Sequence, residues 1–478
     1  MVFSGLFFLL FFFVLCMAAV LFCRTVRLQN AVLLIFSLIF YAWGGPVLLL
    51  LLCGITFICW LGGRVLAGLS LPFYRKLVLF MTVTASLLVF VFFKYTNFLA
   101  DSIGGLFRLE LGIPEIVLPI GISFYTFQLL SYVADVYRGE VASQKSYLRL
   151  LLYASLFHQC VAGPIVRYSD VCAELEERRI LLSDFSSGVS RFTVGLAKKA
   201  LLANHCGALA TAALASETLS TASSGTVFLG TIFYMLQIYL DFSAYSDMAI
   251  GMGRMCGLHY CENFNYPYIA SSVTDFWRRW HISLSGFFRD YVYIPLGGNR
   301  RGRGRQILNL LAVWALTGLW HGASWNYVLW GLYYFVFLVI EKFLLAGLLQ
   351  KKAVWLRVLR HVAVLAVVWF GWILFYFEDL SQMGIALRGL VCANGNAFWD
   401  LDARLMLLNN LFFLAVAILA CTPAVPWLGA RLRRAGQESA AWRGLRTGLE
   451  VALPTVLFLL SFLALIGNTY NPFLYFQF

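Results

Sequence analysis

Charge is scarce in this chain. Of its 478 residues only 12% are Asp, Glu, Lys or Arg, against 61% hydrophobic and 17% aromatic. Soluble domains carry about 25% charged residues, so this composition excludes a single water-soluble fold. Also lacking are a glycine-rich phosphate loop, a Gly-x-Ser-x-Gly nucleophile elbow, coiled-coil heptads and any tandem repeat. The first two absences remove the common nucleotide-binding loop and a soluble serine-hydrolase site, and the others remove rod and solenoid architectures. No linker is long enough to isolate a soluble domain: the longest polar stretches, 167–190, 261–305, 377–404 and 431–446, each join apolar segments. The 11 cysteines are an odd number, and Cys16, Cys53, Cys59 and Cys421 lie in apolar runs, as small buried hydrophobes do. Cys256 and Cys261 have neither a second pair nor a suitable histidine spacing, so no metal site is expected.

What the chain does have is apolar runs near or above the roughly 18 residues that cross a bilayer. They occupy 2–22, 77–93, 307–320, 327–340, 362–376, 405–420 and 451–466. The expectation is one all-α polytopic membrane domain over 1–478, with about nine to thirteen spans and, where glycine and proline interrupt the runs, re-entrant helices. The formal charge of +13 is spread through short loops between apolar runs and not gathered into a nucleic-acid patch. Such basic loops stay in the cytoplasm. That rule puts Arg300-Arg301-Gly-Arg303-Gly-Arg305 inside, together with the Arg431, Arg433, Arg434, Arg443 and Arg446 stretch. The last apolar run then delivers a tail, 468–478, to the outer face, and Arg24 and Arg27 place the N-terminus outside as well. No charged segment precedes the first run, which reads as an anchor and not a cleaved signal.

Two histidines stand in polar, tryptophan-flanked segments: Asp275-Phe-Trp-Arg-Arg-Trp-His281-Ile-Ser-Leu-Ser285 and Leu316-Thr-Gly-Leu-Trp-His321-Gly-Ala-Ser-Trp325. An imidazole inside a lipid-embedded bundle is costly unless paired or working, which makes this pair the candidate for chemistry. The middle of the chain adds Leu118-Pro-Ile-Gly-Ile-Ser-Phe-Tyr-Thr-Phe-Gln128, then Asp135-Val-Tyr137-Arg138, and Asp241-Phe-Ser-Ala-Tyr-Ser-Asp247. Irregular backbone and carboxylates at membrane depth survive only where protein or water satisfies them, so a polar-lined cavity or tunnel is expected. The carboxylates themselves read either as ion-pair and capping partners or as catalytic groups. Residues 169–179 read as a surface helix, and 377–404 as a solvated connector or a lid.

With Val161-Ala-Gly-Pro-Ile-Val-Arg167, Asn263-Phe-Asn-Tyr-Pro-Tyr268 and Arg289-Asp-Tyr-Val-Tyr-Ile-Pro-Leu-Gly-Gly-Asn299, these segments closely resemble the membrane-bound O-acyltransferase family over nearly the whole chain. The similarity is to its bacterial branch of alginate and peptidoglycan O-acetylation membrane components, related to the teichoic-acid D-alanyl carrier. His158 before Gln159 departs from the pattern, where proline is more usual. The resemblance implies a helical bundle around a central tunnel, in which a cytosolic acyl thioester meets its acceptor. It implies His321 as the catalytic histidine and His281 as the second motif position. Moving an acetyl group from a thioester to a hydroxyl needs a base near neutral pH and a donor for the developing oxyanion. His321 is therefore expected as general base and His281 as an orienting or oxyanion-stabilising partner. His158, His205, His259 and His361 are expected to be structural.

The implied donor is acetyl-CoA, an anionic substrate; no resident cofactor is expected. Arg278, Arg279, Arg300 and Arg301 could hold its phosphates or could serve only as topological anchors. The ending Asn471-Pro-Phe-Leu-Tyr475-Phe-Gln-Phe478 reads as an interfacial aromatic belt or, by the resemblance, as an acyl-tyrosine relay at Tyr475. The resemblance further implies the bacterial cytoplasmic membrane, a polysaccharide acceptor and a separate SGNH-type or esterase-like transferase outside. Two rivals belong to other classes: a transporter or flippase of a lipid-linked glycan, whose path intramembrane charges would line, and a scaffold that only recruits the outer enzyme.

Overall fold

A computed structural model describes every residue except Glu110, Leu111, Glu115, Ala162, Lys352, 468–472 and 475–478, and the backbone alone of Gly436 and Glu438. Among the described residues all regular structure is helical. Each apolar run of the sequence is helical, several of them extended by polar turns: 77–93 lies in Pro72–Phe107, 307–320 in Arg303–His321, 362–376 in Val354–Tyr376 and 451–466 in Ala440–Ile466. Among the described residues five helices are long and apolar enough to cross a membrane, Pro46–Gly68, Pro72–Phe107, Ser224–Met255, Val354–Tyr376 and Ala440–Ile466, and six if the bent pair Leu401–Asn409 and Leu411–Ala420 counts as one. That is fewer than the nine to thirteen spans expected from the runs. The first run forms one continuous but short helix, Phe8–Phe22, opened by a π-turn at Phe8–Phe12, Val26–Ala42 is also short, and Trp325–Phe343 carries Asn326, Glu341 and Lys342. The basic stretch 431–446, expected as a loop, is helical on both sides of Ser439.

The chain divides into two compact units interleaved along the sequence. The first comprises Met1–Phe192, Ser246–Glu262 and Gly286–Leu296; the second comprises Thr193–Tyr245, Asn263–Ser285 and Gly297–Phe478.

In the first unit, Pro46 and Pro72 begin the Pro46–Gly68 and Pro72–Phe107 helices, where a missing N–H costs nothing. Gly121, at φ +75°, begins Ile122–Arg138, and a methyl group there would overlap the Cys160 carbonyl. The helix that follows is buried almost from end to end. Its Asp135 accepts a hydrogen bond from the Tyr291 hydroxyl at 2.7 Å. Arg167 reaches Asp290 at 2.6 Å, and Arg191 joins Asp247 at 2.7 Å to Glu262 at 2.6 Å. The expected surface helix is Tyr168–Glu176, which buries Tyr168, Val171 and Leu175.

In the second unit, Arg303–His321 and Trp325–Phe343 form a tight hairpin. Their axes come close because Gly318 and Gly331 face each other: a methyl at Gly318 would overlap the Tyr327 carbonyl, and one at Gly331 the Trp314 carbonyl. Asn326 donates to the Leu374 and Phe375 carbonyls at 3.3 and 3.2 Å, tying Val354–Tyr376 to the same hairpin. Glu341, buried in Trp325–Phe343, accepts the backbone N–H groups of Val273 and Thr274 and so caps the Val273–Arg279 helix from outside it. These contacts fix the ends of the elements that carry both motif histidines.

Candidate active site

His281 joins two short helices, Val273–Arg279 and Ile282–Phe288, and it does so in the left-handed region, with φ +45°. For a residue with a Cβ this conformation costs on the order of 1–3 kcal/mol, and it persists only where the surroundings enforce it. The enforcing segment is Asn263 to Asn265. The Asn265 N–H donates to the Arg279 carbonyl at 2.9 Å, and the Ile282 N–H donates to the Asn263 carbonyl at 3.0 Å, so the chain is gripped on both sides of the histidine.

The Asn263 side chain then sets the imidazole. Its Oδ1 lies 3.3 Å from the Ser283 N–H, 2.8 Å from the Ser283 hydroxyl and 3.2 Å from His281 Nδ1. A backbone N–H can only donate, so the shared Asn263 atom is the carbonyl oxygen and Nδ1 carries the proton. Nε2 is left with its lone pair, buried, and without a hydrogen-bond partner among the described residues. Of the two roles expected for His281, orienting partner suits this tautomer. An oxyanion needs a donor, which Nε2 becomes only in the imidazolium.

His321 ends the Arg303–His321 helix and is 5% exposed. Its ring stands edge-on to Trp330 at 4.9 Å and Phe375 at 5.2 Å, while His281 stands edge-on to Phe242 at 4.8 Å and Trp320 at 5.7 Å. His321 lines a cavity of about 20 Å³ together with Asp241, Phe242, Trp280, Phe375 and Leu474. That is room for about one water molecule. Where a tunnel is expected, the structure shows beside His321 this small space, walled by tryptophan and phenylalanine rings and by Leu474 of the C-terminal segment.

Asp241 is not paired with an arginine. Its Oδ1 meets Lys199 Nζ at 2.6 Å, and its Oδ2 accepts the Leu474 N–H at 2.7 Å. Phe473 is fully buried and stands edge-on to Tyr245 at 4.9 Å. The start of the terminal aromatic motif is thus inside the protein, and the interfacial-belt reading does not hold for Phe473. Tyr475 lies outside the described residues.

The four arginines divide. Arg279 is held by Asp275 at 2.9 Å and by the Asn265 carbonyl at 3.3 Å. Arg278, Arg300 and Arg301 are exposed and form no ion pair among the described residues. The other histidines have partners suited to structure: His158 meets the Tyr260 hydroxyl at 2.6 Å, His205 meets Asn410 at 2.8 Å, His259 meets Glu174 at 2.7 Å, and His361 donates to the Ala270 carbonyl at 2.9 Å. Among the described residues no group of three His, Cys, Asp or Glu side chains could hold a metal ion. Sequence reasoning assigns no role to Asn263 and overlooks Lys199. A hint for the latter is a Lys198-Lys199 pair inside the otherwise apolar stretch 194–203.

A helical membrane protein with a strained histidine beside a second histidine's cavity is the class that fold and site define. The membrane-bound O-acyltransferase family model matches residues 77–386, and the chain belongs to that family. It is 36% identical over its full length to the full length of a probable alginate O-acetylase from Azotobacter vinelandii. It is 29% identical to a peptidoglycan O-acetyltransferase from Helicobacter pylori, over 76% of this chain and 74% of that one. A teichoic acid D-alanyltransferase from Bacillus subtilis is 29% identical over 52% of this chain and 65% of its own. The protein is a membrane-bound O-acyltransferase, which removes the transporter and scaffold readings.

Proposed function

We propose that this enzyme takes the acetyl group of acetyl-CoA at the cytoplasmic face of a bacterial inner membrane and passes it outward for O-acetylation of a cell-surface polysaccharide. A separate esterase-like transferase outside completes the reaction. The observation that carries this reading is the shared cavity, where His321 and the backbone of the residue preceding Tyr475 line one small space. The acceptors in the names of the similar proteins, alginate and peptidoglycan, are hydroxyl-bearing glycans, which favours an oxygen nucleophile.

In the first step His321 takes the proton of the Tyr475 hydroxyl. The phenolic oxygen attacks the thioester carbon, the C–S bond breaks, and the CoA sulfur leaves as thiolate and takes up a proton. In the second step an acceptor hydroxyl attacks the tyrosyl ester, its proton passes to the base, and the phenolate leaves and is reprotonated. A free phenol, with a pKa of roughly 10, is a poor nucleophile, and the base overcomes this. His281, held by Asn263 in one tautomer, orients the incoming group. Arg278, Arg300 and Arg301 offer exposed guanidinium groups to the phosphates of CoA, whereas Arg279 anchors its own helix.

Purified enzyme incubated with acetyl-CoA and quenched should yield a C-terminal peptide heavier by one acetyl group on Tyr475, by intact-peptide mass spectrometry. A Tyr475→Phe enzyme with full transfer would remove the relay.

A further inference from the structure

The Lys199–Asp241 pair makes contacts beyond its own ion pair. Both side chains are buried, 4% and 3% exposed. Burying two opposite charges in an apolar bundle costs more desolvation than their attraction returns unless further polar contacts complete the site. Here the completing contacts come from the C-terminal segment. Asp241 uses its second oxygen on the Leu474 N–H at 2.7 Å, and the Lys199 ammonium lies over the Phe473 ring, 4.6 Å from its centroid. Two adjacent tail residues are thus gripped by the two members of one pair, through a charge-assisted hydrogen bond and a cation–π contact.

Local structure is shaped for this grip. Lys199 lies in the π-helical turn Lys198–Ala203, whose inward residues are Lys199, Ala200 and Ala203. Such wide turns re-aim side chains and recur at functional sites. Asp241 projects from the Ser224–Met255 helix and, with Leu474, forms part of the wall of the His321 cavity. A slip of one residue along the tail would move the following side chain by up to about 3.8 Å, which is enough to abolish alignment with a base.

We propose that Lys199 and Asp241 are positioning residues: a clamp that fixes the register of the C-terminal segment beside His321. This rests on the reading that the acetyl group passes through the tail.

Hydrogen–deuterium exchange of the C-terminal peptide in the full-length, detergent-purified enzyme reads the clamp directly, because the Leu474 amide is its hydrogen-bonded donor. Lys199→Met alone leaves a buried carboxylate unpaired and risks misfolding, so the test uses Lys199→Met combined with Asp241→Leu, which removes both charges and the acceptor for the Leu474 N–H and keeps the volume roughly the same. Exchange at Leu474 should accelerate by about tenfold or more, the equivalent of losing one charge-assisted hydrogen bond. In the same variant kcat should fall by about tenfold while KM for acetyl-CoA stays within about twofold, as for loss of an interaction made only on the way to the transition state. Lys199→Arg should restore protection. Unchanged exchange in the double variant would overturn the clamp, and accelerated exchange with full kcat would overturn its positioning role. His321→Ala separates this from the catalytic reading: it should abolish transfer with Leu474 still protected. Transfer retained there would defeat the relay at His321, while the exchange data would still decide whether the tail is clamped.

Discussion

The two units each bury an imidazole against aromatic rings, and the two differ in backbone and surroundings but not in burial. His158, in the first unit, is wholly buried, and its Nδ1 is bonded to Tyr260, but its backbone is ordinary helix. His281, in the second unit, is buried as deeply and, like His158, leaves Nε2 without a partner among the described residues. Burial and an unused nitrogen are therefore shared and identify nothing. What differs is the left-handed backbone at His281, the asparagine that dictates its tautomer, and the neighbouring cavity where His321, a carboxylate and the chain's own tail converge. Strain held in place by a dedicated segment, and space nearby, set His281 apart from His158, and the role proposed for His281 rests on them.

The sharpest way to break that contrast is to exchange both imidazoles for non-titrating groups. His281→Ala should lower acyl transfer by about 100-fold, the loss expected when a reacting group is misplaced, whereas His158→Phe should leave it within about threefold at equal expression. Equal losses would abolish the distinction. Next in size is the hairpin that carries His321. Gly318→Ala should cost about 2 kcal/mol of stability, because the added methyl meets a backbone carbonyl that cannot move alone; a thermal melt in detergent with no shift would contradict the close approach. Asn263→Ala should lower kcat by about tenfold, through loss of the tautomer lock and the unsatisfied Ser283 N–H, while Asn263→Asp, which keeps an acceptor, should recover much of it.

The smallest effect belongs to the first unit. Burial pushes the Asp290 carboxyl up, but the hydrogen bonds from Arg289 and Arg167 outweigh it and hold the group below its ordinary value of 3.8. A depressed carboxyl stabilises the fold above its unfolded pKa and loses that contribution as the pH falls through the folded one. Asp290→Asn should therefore melt lower than the parent by no more than about 4 °C at pH 7, and the gap should close below about pH 4. A gap that widened in acid would reverse the sign of this account.

Much of the architecture is legible in the sequence alone. Hydrophobic run length locates the helices, because lipid leaves the backbone no other partner, and the flanking residues of His281 and His321 single them out. Span number is not legible: apolar length alone cannot show that 2–22 yields only the short helix Phe8–Phe22 or that Trp325–Phe343 carries Glu341 as another helix's cap. Nor can one chain position reveal its partner 233 residues away, as with Asp241 and Leu474. Asn263 stands in a motif segment without a sequence-level role because its function is purely geometric, through a tautomer that only spatial neighbours determine. The tail misleads at Phe473 for a related reason: an aromatic residue after the last apolar run suits the interface equally well until a buried cation is found beneath it.

The most direct test is transfer of radiolabelled acetyl from acetyl-CoA by purified enzyme, parent against His321→Ala, with insertion and monodispersity matched. The account predicts labelled product and free CoA thiol from the parent and at least about 100-fold less of both from the variant. Equal thiol release and equal label from His321→Ala would contradict it.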